Sequence, residues 1–425
     1  MEPEGDVATP ALLDPEGLGF MCGIEVHQQL ATGKLHSRQP GVLHDITIET
    51  LPEEWPKFSR RLRSARGEGG TVDVAARFES RRNRSFVYCQ SPNSGLIELD
   101  EQPPLPHDSD ALDISLTVSG MINAHPVPLL QTMRKTVVDG SNTSGFQRTT
   151  LVATNGVLET EGGPVGIDVL CLEEDSARKL DSELTPDGEI VTWNLDRLGI
   201  PLIEIATAPD VKNPDHAKQT SIALGRTLRD TRRVRRGLGS IRQDLNVSIM
   251  CGDRVEIKGC QDLEWIPKII RCEMARQLHF YRLANQLRST HGLPALSNDR
   301  RVESPSVQEE VSGILQLKLV DVSSAFESCE SKRVKSGLES KSVMLALPLP
   351  GFNGLIGVKE LDADGAQMPR LGRELAGAAK LAGVAGVYHS DELPAYGIEQ
   401  DYVDATRKLL DGADAFVLCL APQWQ

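Results

Sequence analysis

The sequence predicts an α+β fold built on a largely antiparallel sheet, followed by a second domain. Three observations carry this. Between residues 19 and 270, short β-like runs alternate with turns rich in Gly, Asn, Ser and Pro, without the regular strand–helix–strand rhythm of a parallel sheet. A polar stretch at residues 289–310, containing Pro294 and Pro305, has the composition of a domain boundary. The chain, at 425 residues, is longer than one hydrophobic core usually organises. The expected division is a flexible N-terminal extension at 1–17, a first domain at 18–290, a linker at 291–311 and a second domain at 312–425.

In chain order, the first 20 residues are acidic, with no basic start and no continuous apolar run, so no signal peptide is expected. The first strand is read at Gly23-Ile24-Glu25-Val26-His27. Residues two apart share a strand face, which puts Glu25 and His27 together and leaves Ile24 and Val26 for the core. Alone, such a pair also fits an exposed edge. Residues 60–84 gather Arg60, Arg61, Arg63, Arg66, Arg77, Arg81, Arg82 and Arg84, a cluster equally compatible with solvated surface.

Residues 138–148 read Val-Asp-Gly-Ser-Asn-Thr-Ser-Gly-Phe-Gln-Arg. Small residues and two glycines leave backbone N–H groups free to approach an anion. No Gly-Lys-Ser/Thr follows, so this is not a Walker loop. With Arg134 and Lys135 just ahead, the segment suits a phosphate or a carboxylate, or a plain surface turn.

Cys171-Leu172-Glu173-Glu174-Asp175 ends an apolar run in three acids, with Asp175 a plausible helix cap. Leu202-Ile203-Glu204-Ile205-Ala206 sets one carboxylate inside an apolar strand, where it needs a metal, a cation or a proton. Arg226, Arg229, Arg232, Arg233, Arg235 and Arg236 form a second basic run leading directly into the next strands. There Arg242, Asp244, Asn246 and Ser248 face one way, and Leu245, Val247 and Ile249 the other. A turn at 251–253 makes residues 254–258 the returning strand. Pairing Met250 with Arg254 would set Ser248 opposite Glu256 and Asn246 opposite Lys258, giving Asp244, Asn246, Glu256 and Lys258 one polar face. A helix is expected at 264–288, with Pro267 in its first turn and Ile266, Ile269, Ile270, Leu278 and Leu283 on a buried side. Beyond the linker come a strand-like run at 314–322, a Gly-rich apolar stretch at 345–358 and another strand at 415–420.

Several acids and one His on strands suit a hard, oxygen-preferring ion such as Mg²⁺, whereas zinc takes more His or Cys. A net charge of −14 argues against indiscriminate nucleic-acid binding but leaves room for RNA held by local basic groups. The eight cysteines form no CxxC pair and read as free thiols. No stretch approaches the roughly 18–20 apolar residues of a membrane helix, so a cytoplasmic protein without membrane contact is expected.

Taken together, Gly23-Ile24-Glu25-Val26-His27-Gln28-Gln29-Leu30 and residues 137–149, 171–180, 201–205, 236–249 and 255–258 resemble, in order, the GatB/GatE family, the transamidase subunits of glutamyl-tRNA(Gln) amidotransferases. Residues 351–357 and 389–398 resemble the domain inserted in GatE and found also in bacterial aspartyl-tRNA synthetases, which points to the archaeal GatE branch. The resemblance implies a sheet cradle related to glutamine synthetase and guanido kinases, binding ATP and Mg²⁺. It implies metal ligation by Glu25, His27, Glu174, Glu204, Asp244 and Glu256, enough for about two ions. Catalytic roles would fall to Glu174, Asp244 and Glu256 with Lys258 and Arg242, and ATP contacts to Arg134, Lys135, Ser141, Asn142, Thr143, Ser144, Gly145 and Gln147.

The implied reaction is ATP-dependent conversion of Glu-tRNA(Gln) to Gln-tRNA(Gln) through a γ-glutamyl phosphate. Ammonia would come from an asparaginase-like glutaminase, the GatD protein, in a heterodimer or heterotetramer. Family members continue past the inserted domain into helical domains that hold tRNA, so the chain is expected to be C-terminally truncated. Relatives often carry cysteines soon after the opening strand; Lys34-Leu35-His36-Ser37-Arg38 has none, and no zinc site is expected. The alternatives are a non-catalytic tRNA-binding or assembly fragment and a bacterial GatB acting on Asp-tRNA or Glu-tRNA.

Overall fold

The computed structural model describes residues 2–61, 70–72, 79, 83–185, 188–299, 318–381, 384 and 386–422. Arg63, Arg66, Arg77, Arg81 and Arg82 of the first basic cluster lie outside these residues, as do residues 300–311 of the linker, Pro305 among them, and 314–317 of the expected strand.

The chain forms two compact units, one of Met21–Val247 with Val255–Pro267 and one of Met1–Phe20, Ser248–Arg254 and Lys268–Gln425. The grouping differs from the expected division, because most of the long helix and the N-terminal segment belong with the second unit. That segment, expected to be flexible, is held: Arg282 donates to the Glu2 carboxylate at 2.6 Å and to the carbonyls of Gly5 and Pro3 at 2.8 Å. Leu13 and Leu18 are buried.

The first unit carries β1 (Met21–Gln29), β2 (Lys57–Arg61), β3 (Arg84–Cys89), β4 (His125–Pro126), β5 (Thr132–Thr136), β6 (Phe146–Leu158), β7 (Val165–Glu174), β8 (Arg178–Thr185), β9 (Gly188–Asn194), β10 (Pro201–Thr207), β11 (Ile241–Ser248) and β12 (Val255–Ile257). Eight of these form one sheet in the order β12-β11-β1-β10-β7-β6-β4, with β5 also beside β6. Antiparallel pairing joins β1 to β10, β10 to β7, β7 to β6 and β11 to β12. The second sheet runs β2-β3-β9-β8 and contains the parallel pair β3–β9.

Register decides which side chains meet. Val26 lies opposite Ile205, and Ile203 opposite Leu172, so one face of the large sheet is aliphatic. Two helices pack on these strands, α1 (Ser109–Met121) on β6 and β7, and α2 (Pro214–Asp230) on β1 and β6. Asp108 caps α1 by accepting from Ala111 N, and Asn213 caps α2 by accepting from His216 N, with Pro214 as its first residue. Ala217, Ser221, Leu224 and Leu228, at helical spacing, form the buried stripe of α2. Each fully buried aliphatic side chain contributes roughly 1.5–3 kcal/mol.

The β11–β12 hairpin sets Asn246 opposite Glu256 and Val247 opposite Val255, two residues away from the expected register. A shift of two preserves the strand face, so Asn246 and Glu256 still share the polar side.

Just past β1, the Lys34 side chain is fully buried, donating to Leu195 O at 3.1 Å with Glu98 Oε1 at 3.7 Å. Burial pushes its pKa down to about 8, against the pull of Glu98 and Asp196. Between about pH 8 and the ordinary lysine value, the unfolded chain holds the proton that the folded one has lost. Stability from this group therefore rises with pH across that window, by about 3 kcal/mol in all. The denaturant midpoint of the parent, relative to that of Lys34→Met, should rise accordingly from pH 8 to 10.5; parallel curves would contradict the burial cost.

In the second unit, α3 (Ile266–Thr290) follows a 3₁₀ turn at Leu263–Trp265, where the sequence pattern has the helix already begun. Beyond it, α4 (Lys332–Glu339), α5 (Leu371–Leu381) and α6 (Gln400–Leu409) accompany β13 (Val320–Asp321), β14 (Ser342–Pro348), β15 (Val387–His389) and β16 (Phe416–Pro422). These strands form a sheet in the order β13-β14-β16-β15, over a core including Val322, Phe326, Met344, Phe416 and Leu418. No described helix is long and apolar enough to cross a membrane.

Candidate functional site

The face of the large sheet opposite the aliphatic one collects acids. His27 on β1 lies opposite Glu204 on β10, Leu202 opposite Glu173 on β7, and Glu173 opposite Thr149 on β6. Glu25, His27 and Glu204 each turn a ligand atom inward, all within 4.8 Å of one another. His27 Nε2 is 2.9 Å from Glu25 Oε1, and Nδ1 is 3.6 Å from Glu173 Oε2.

Glu173 is fully buried and the most contacted acid of the group. It accepts from Thr149 Oγ1 at 2.9 Å, Gln147 Nε2 at 3.0 Å and Lys135 Nζ at 3.4 Å. Glu204 is poorly served by comparison. Its Oε2 is buried without a hydrogen bond, and Lys135 Nζ stands 3.6 Å away.

Charge crowding shows in the proton affinities. Burial disfavours the His27 cation, but hydrogen bonds with Glu173 and Glu25 outweigh it and raise the imidazole to about 9. Burial, reinforced by the Glu173 carboxylate, pushes Glu204 up. Burial pushes Glu173 the same way, yet its contacts with His27 and Glu204 prevail and hold it below the usual carboxyl range. The Glu25 carboxyl is lowered first by its bond to His27 and further, against burial, by the charges of His27, Lys135 and Lys258. Glu25 thus feels cations from both sides of the cluster.

Lys258, just past β12, donates to Asp244 Oδ2 at 3.1 Å and Glu256 Oε1 at 2.5 Å. Arg242 donates to Asp175 Oδ1 at 3.0 Å, and Gln29 Nε2 donates to Asp175 Oδ2 at 2.7 Å. The face therefore holds two acidic groupings, Glu25/His27/Glu204/Glu173 and Asp244/Glu256, with Lys135 and Lys258 reaching into them. A buried, unbonded carboxylate oxygen beside a second acid and an imidazole could hold a divalent cation once His27 gives up its extra proton. The residues present fit Mg²⁺.

Of the six expected ligands, Glu25, His27 and Glu204 come together, Asp244 and Glu256 share Lys258, and Glu174 points the other way. Strand alternation turns Glu174 to the opposite face, where its Oε1 accepts from Arg148 Nη1 at 2.8 Å and Arg148 N at 3.2 Å. Glu173, one residue earlier, occupies the polar face. The expected ATP contacts divide in the same way. Lys135 and Gln147 reach Glu173, whereas Arg134 lies with Arg148 against the Phe146 ring, at 5.0 and 5.3 Å.

The 138–145 turn spends its polar groups on the protein itself. Ser141 Oγ donates to Asp139, Thr143 Oγ1 to Glu98 O and Ser144 Oγ to Phe146 O, while Gly140 O accepts from Tyr88. Gly140 has φ +87°, and a Cβ there would collide with the Phe86 ring, so the turn tolerates only glycine. Asn142, Thr143 and Ser144 line a cavity of about 10 Å³ with His36, Glu98 and Glu174, room for about one water. Gly145 closes the turn by donating to Asn142 O. The sequence names Glu173 and Asp175 among the acids but marks neither as a ligand or catalytic group, and it gives Thr149 and Gln29 no role. Thr149 and Gln29 carried no local signal, being ordinary polar residues until cross-strand register sets them beside acids.

The GatB/GatE catalytic domain family matches residues 20–335. The E subunit of glutamyl-tRNA(Gln) amidotransferase from Pyrococcus furiosus is 43% identical over 411 residues, covering 96% of this chain and 60% of that protein. The proteins of the same name from Methanocaldococcus jannaschii and Sulfurisphaera tokodaii are 42% and 41% identical, over 94% and 97% of this chain and 58% and 61% of their own lengths. The chain thus spans about 60% of the length of these curated relatives. With a carboxylate face on an α+β scaffold and this identity along nearly its whole length, the chain belongs to the GatB/GatE catalytic domain family.

Proposed function

We propose that the chain performs the ATP-dependent amidation of the glutamyl group on Glu-tRNA(Gln) during translation. The observation that carries this is the Glu25/His27/Glu204 cluster with its unbonded Glu204 oxygen, backed by Glu173 and approached by Lys135 and Lys258.

A side-chain carboxylate resists attack by ammonia because its leaving group would be oxide. In the proposed reaction a carboxylate oxygen of the tRNA-bound glutamate attacks the γ-phosphorus of ATP, ADP leaves, and a γ-glutamyl phosphate forms. Ammonia then adds to the acyl carbon, the C–O bond to phosphate breaks, and the nitrogen sheds a proton, for which Asp244 and Glu256 are the acceptors at hand. Mg²⁺ held by Glu25, His27 and Glu204 would screen the repulsion between an anionic nucleophile and the triphosphate. Lys135 and Lys258 place two ammonium groups beside that position, and Arg242, held by Asp175, a guanidinium at its end. Glu173 orients Lys135, Gln147 and Thr149 on one carboxylate.

Within this reading the large sheet is a cradle of the glutamine synthetase type, and the second unit contains the domain shared with bacterial aspartyl-tRNA synthetases. The relatives' own name, which makes each of them one subunit of an amidotransferase, supports an assembly of several chains. An asparaginase-like glutaminase, the GatD protein, would supply the ammonia.

The test uses ammonium chloride in place of a partner. Glu-tRNA(Gln) with ATP and Mg²⁺ should yield Gln-tRNA(Gln), and hydroxylamine should divert the acyl phosphate to glutamyl hydroxamate. ATP hydrolysis without hydroxamate would contradict the acyl-phosphate route. Absence of both reactions would contradict the function.

A further inference from the structure

The six arginines of the second basic run do not share one fate. Arg233 is bound to two acids of α1, with 2.5 Å to Asp113 and 3.4 Å to Asp110. Arg235 is half-buried and donates to the carbonyls of Leu30 and Gly41. Arg226, Arg229, Arg232 and Arg236 are exposed, and none takes part in an ion pair among the described residues. Arg226 and Arg229 lie one turn apart at the end of α2, Arg232 follows in a left-handed turn with φ +58°, and Arg236 comes after Val234 has bridged to Leu30.

That bridge ties the arginine segment to the end of β1, a strand of the sheet whose other face carries the acids. Leu30 is three residues beyond His27 along β1, or about 10 Å of strand. Gln28 Nε2 donates to the carbonyls of Arg235 and Ser240, pinning both ends of the 235–240 loop to β1. Four unpaired guanidinium groups thus stand at one end of the acidic sheet, on a chain whose net charge is −14. Solubility needs no such arrangement, and stability gains nothing from it, because exposed charges of one sign repel.

We infer that Arg226, Arg229, Arg232 and Arg236 form a docking ridge for an RNA phosphate backbone, leading the charged end of a tRNA onto the carboxylate face. The inference rests on the proposed function. Its chemistry is that of phosphate recognition: guanidinium groups take phosphate oxygens in bidentate fashion, and an amino acid esterified to an RNA terminus reaches a metal face only if the last phosphates lie a few nucleotides away. Arg233 and Arg235 hold the scaffold that presents the ridge.

Salt dependence separates the two groups. Binding of Glu-tRNA(Gln) to the full chain is followed by filter retention between 50 and 300 mM KCl, about a sixfold range in salt. Relative to the parent, R226A/R229A/R232A/R236A should lower the slope of log K against log salt by roughly 3, since each phosphate contact contributes about 0.7–0.9. Affinity near 100 mM should fall at least about tenfold, while melting temperature and the thermal shift on adding Mg-ATP stay at parental values. Arg233→Ala, whose guanidinium is already taken by Asp110 and Asp113, should leave the slope as it was. An unchanged slope in the fourfold variant overturns the ridge, as does a parent that retains no RNA. An unchanged slope with weakened association to a glutaminase partner would assign the surface to a protein instead. In each of these outcomes a retained Mg-ATP shift leaves the proposed function standing, whereas its loss in the parent removes that function.

Discussion

Under the proposed function, replacing Glu204 with Gln is expected to lower Gln-tRNA formation by roughly a hundred- to a thousandfold, the usual effect of removing one preorganised group from a phosphoryl-transfer site. The fold should survive. Glu204 is paired across strands with His27 and Cys171, and its Oε2 has no hydrogen bond to lose. Burial and the neighbouring Glu173 carboxylate already push Glu204 towards its neutral form, so a neutral amide there leaves no charge to bury or to repel Glu173. Thermal denaturation of the metal-free protein should therefore show an equal or higher midpoint for Glu204→Gln. A variant with parental turnover would remove the carboxylate cluster from the mechanism, and a lower midpoint would mean that Glu204 serves the fold.

Glu174→Leu should do the reverse, destabilising the chain by about 3–5 kcal/mol, the cost of stripping one partner from a buried ion pair. Arg148 is only 11% exposed at its side chain and gives Glu174 both a guanidinium and a backbone hydrogen bond. Its other neighbour is the Phe146 ring, which does not replace a carboxylate. Changing both partners together, Arg148→Met with Glu174→Leu, should recover most of the loss, because no charge is left unpaired. Denaturant titration of the two single variants and the double variant measures the coupling directly. Additive effects would show that the pair does not act as a unit.

These two carboxylates mark how far the sequence could be read. Glu25, His27 and Glu204 were legible because Ile24, Val26, Ile203 and Ile205 alternate with them and assign the opposite face to the core. The Asp244/Glu256/Lys258 grouping was legible for the same reason, and it survived a two-residue error in hairpin register because a shift of two keeps side chains on their face. Glu173 and Glu174 offered no such guide. The run before them, Val169-Leu170-Cys171-Leu172, is apolar at every position, in keeping with residues of both faces of this central strand being largely buried, so its pattern carries no parity. Only the cross-strand pairs of Glu173 with Leu202 and Thr149 resolve the ambiguity.

The 138–145 turn misled for another reason. Its glycines and hydroxyls have the composition of an anion site, but their partners, Glu98, Tyr88 and Asp139, decide their use, and Glu98 and Tyr88 are about 45 to 52 residues away in sequence. The arginine run is alike in this respect: Asp113, 120 residues from Arg233, and Gly41, 194 residues from Arg235, separate bound cations from those with no ion pair among the described residues.

A divalent cation with its nucleotide is proposed to sit on the Glu25/His27/Glu204 face. Equilibrium dialysis of Mn²⁺-ATP against the parent, Glu204→Gln and Glu174→Gln tests it most directly, the last variant retaining a hydrogen-bond acceptor for Arg148. The parent should bind, Glu204→Gln should weaken binding at least about tenfold, and Glu174→Gln, shown folded by circular dichroism, should bind as the parent does. Equal binding by the parent and Glu204→Gln, or loss in a folded Glu174→Gln alone, would contradict it.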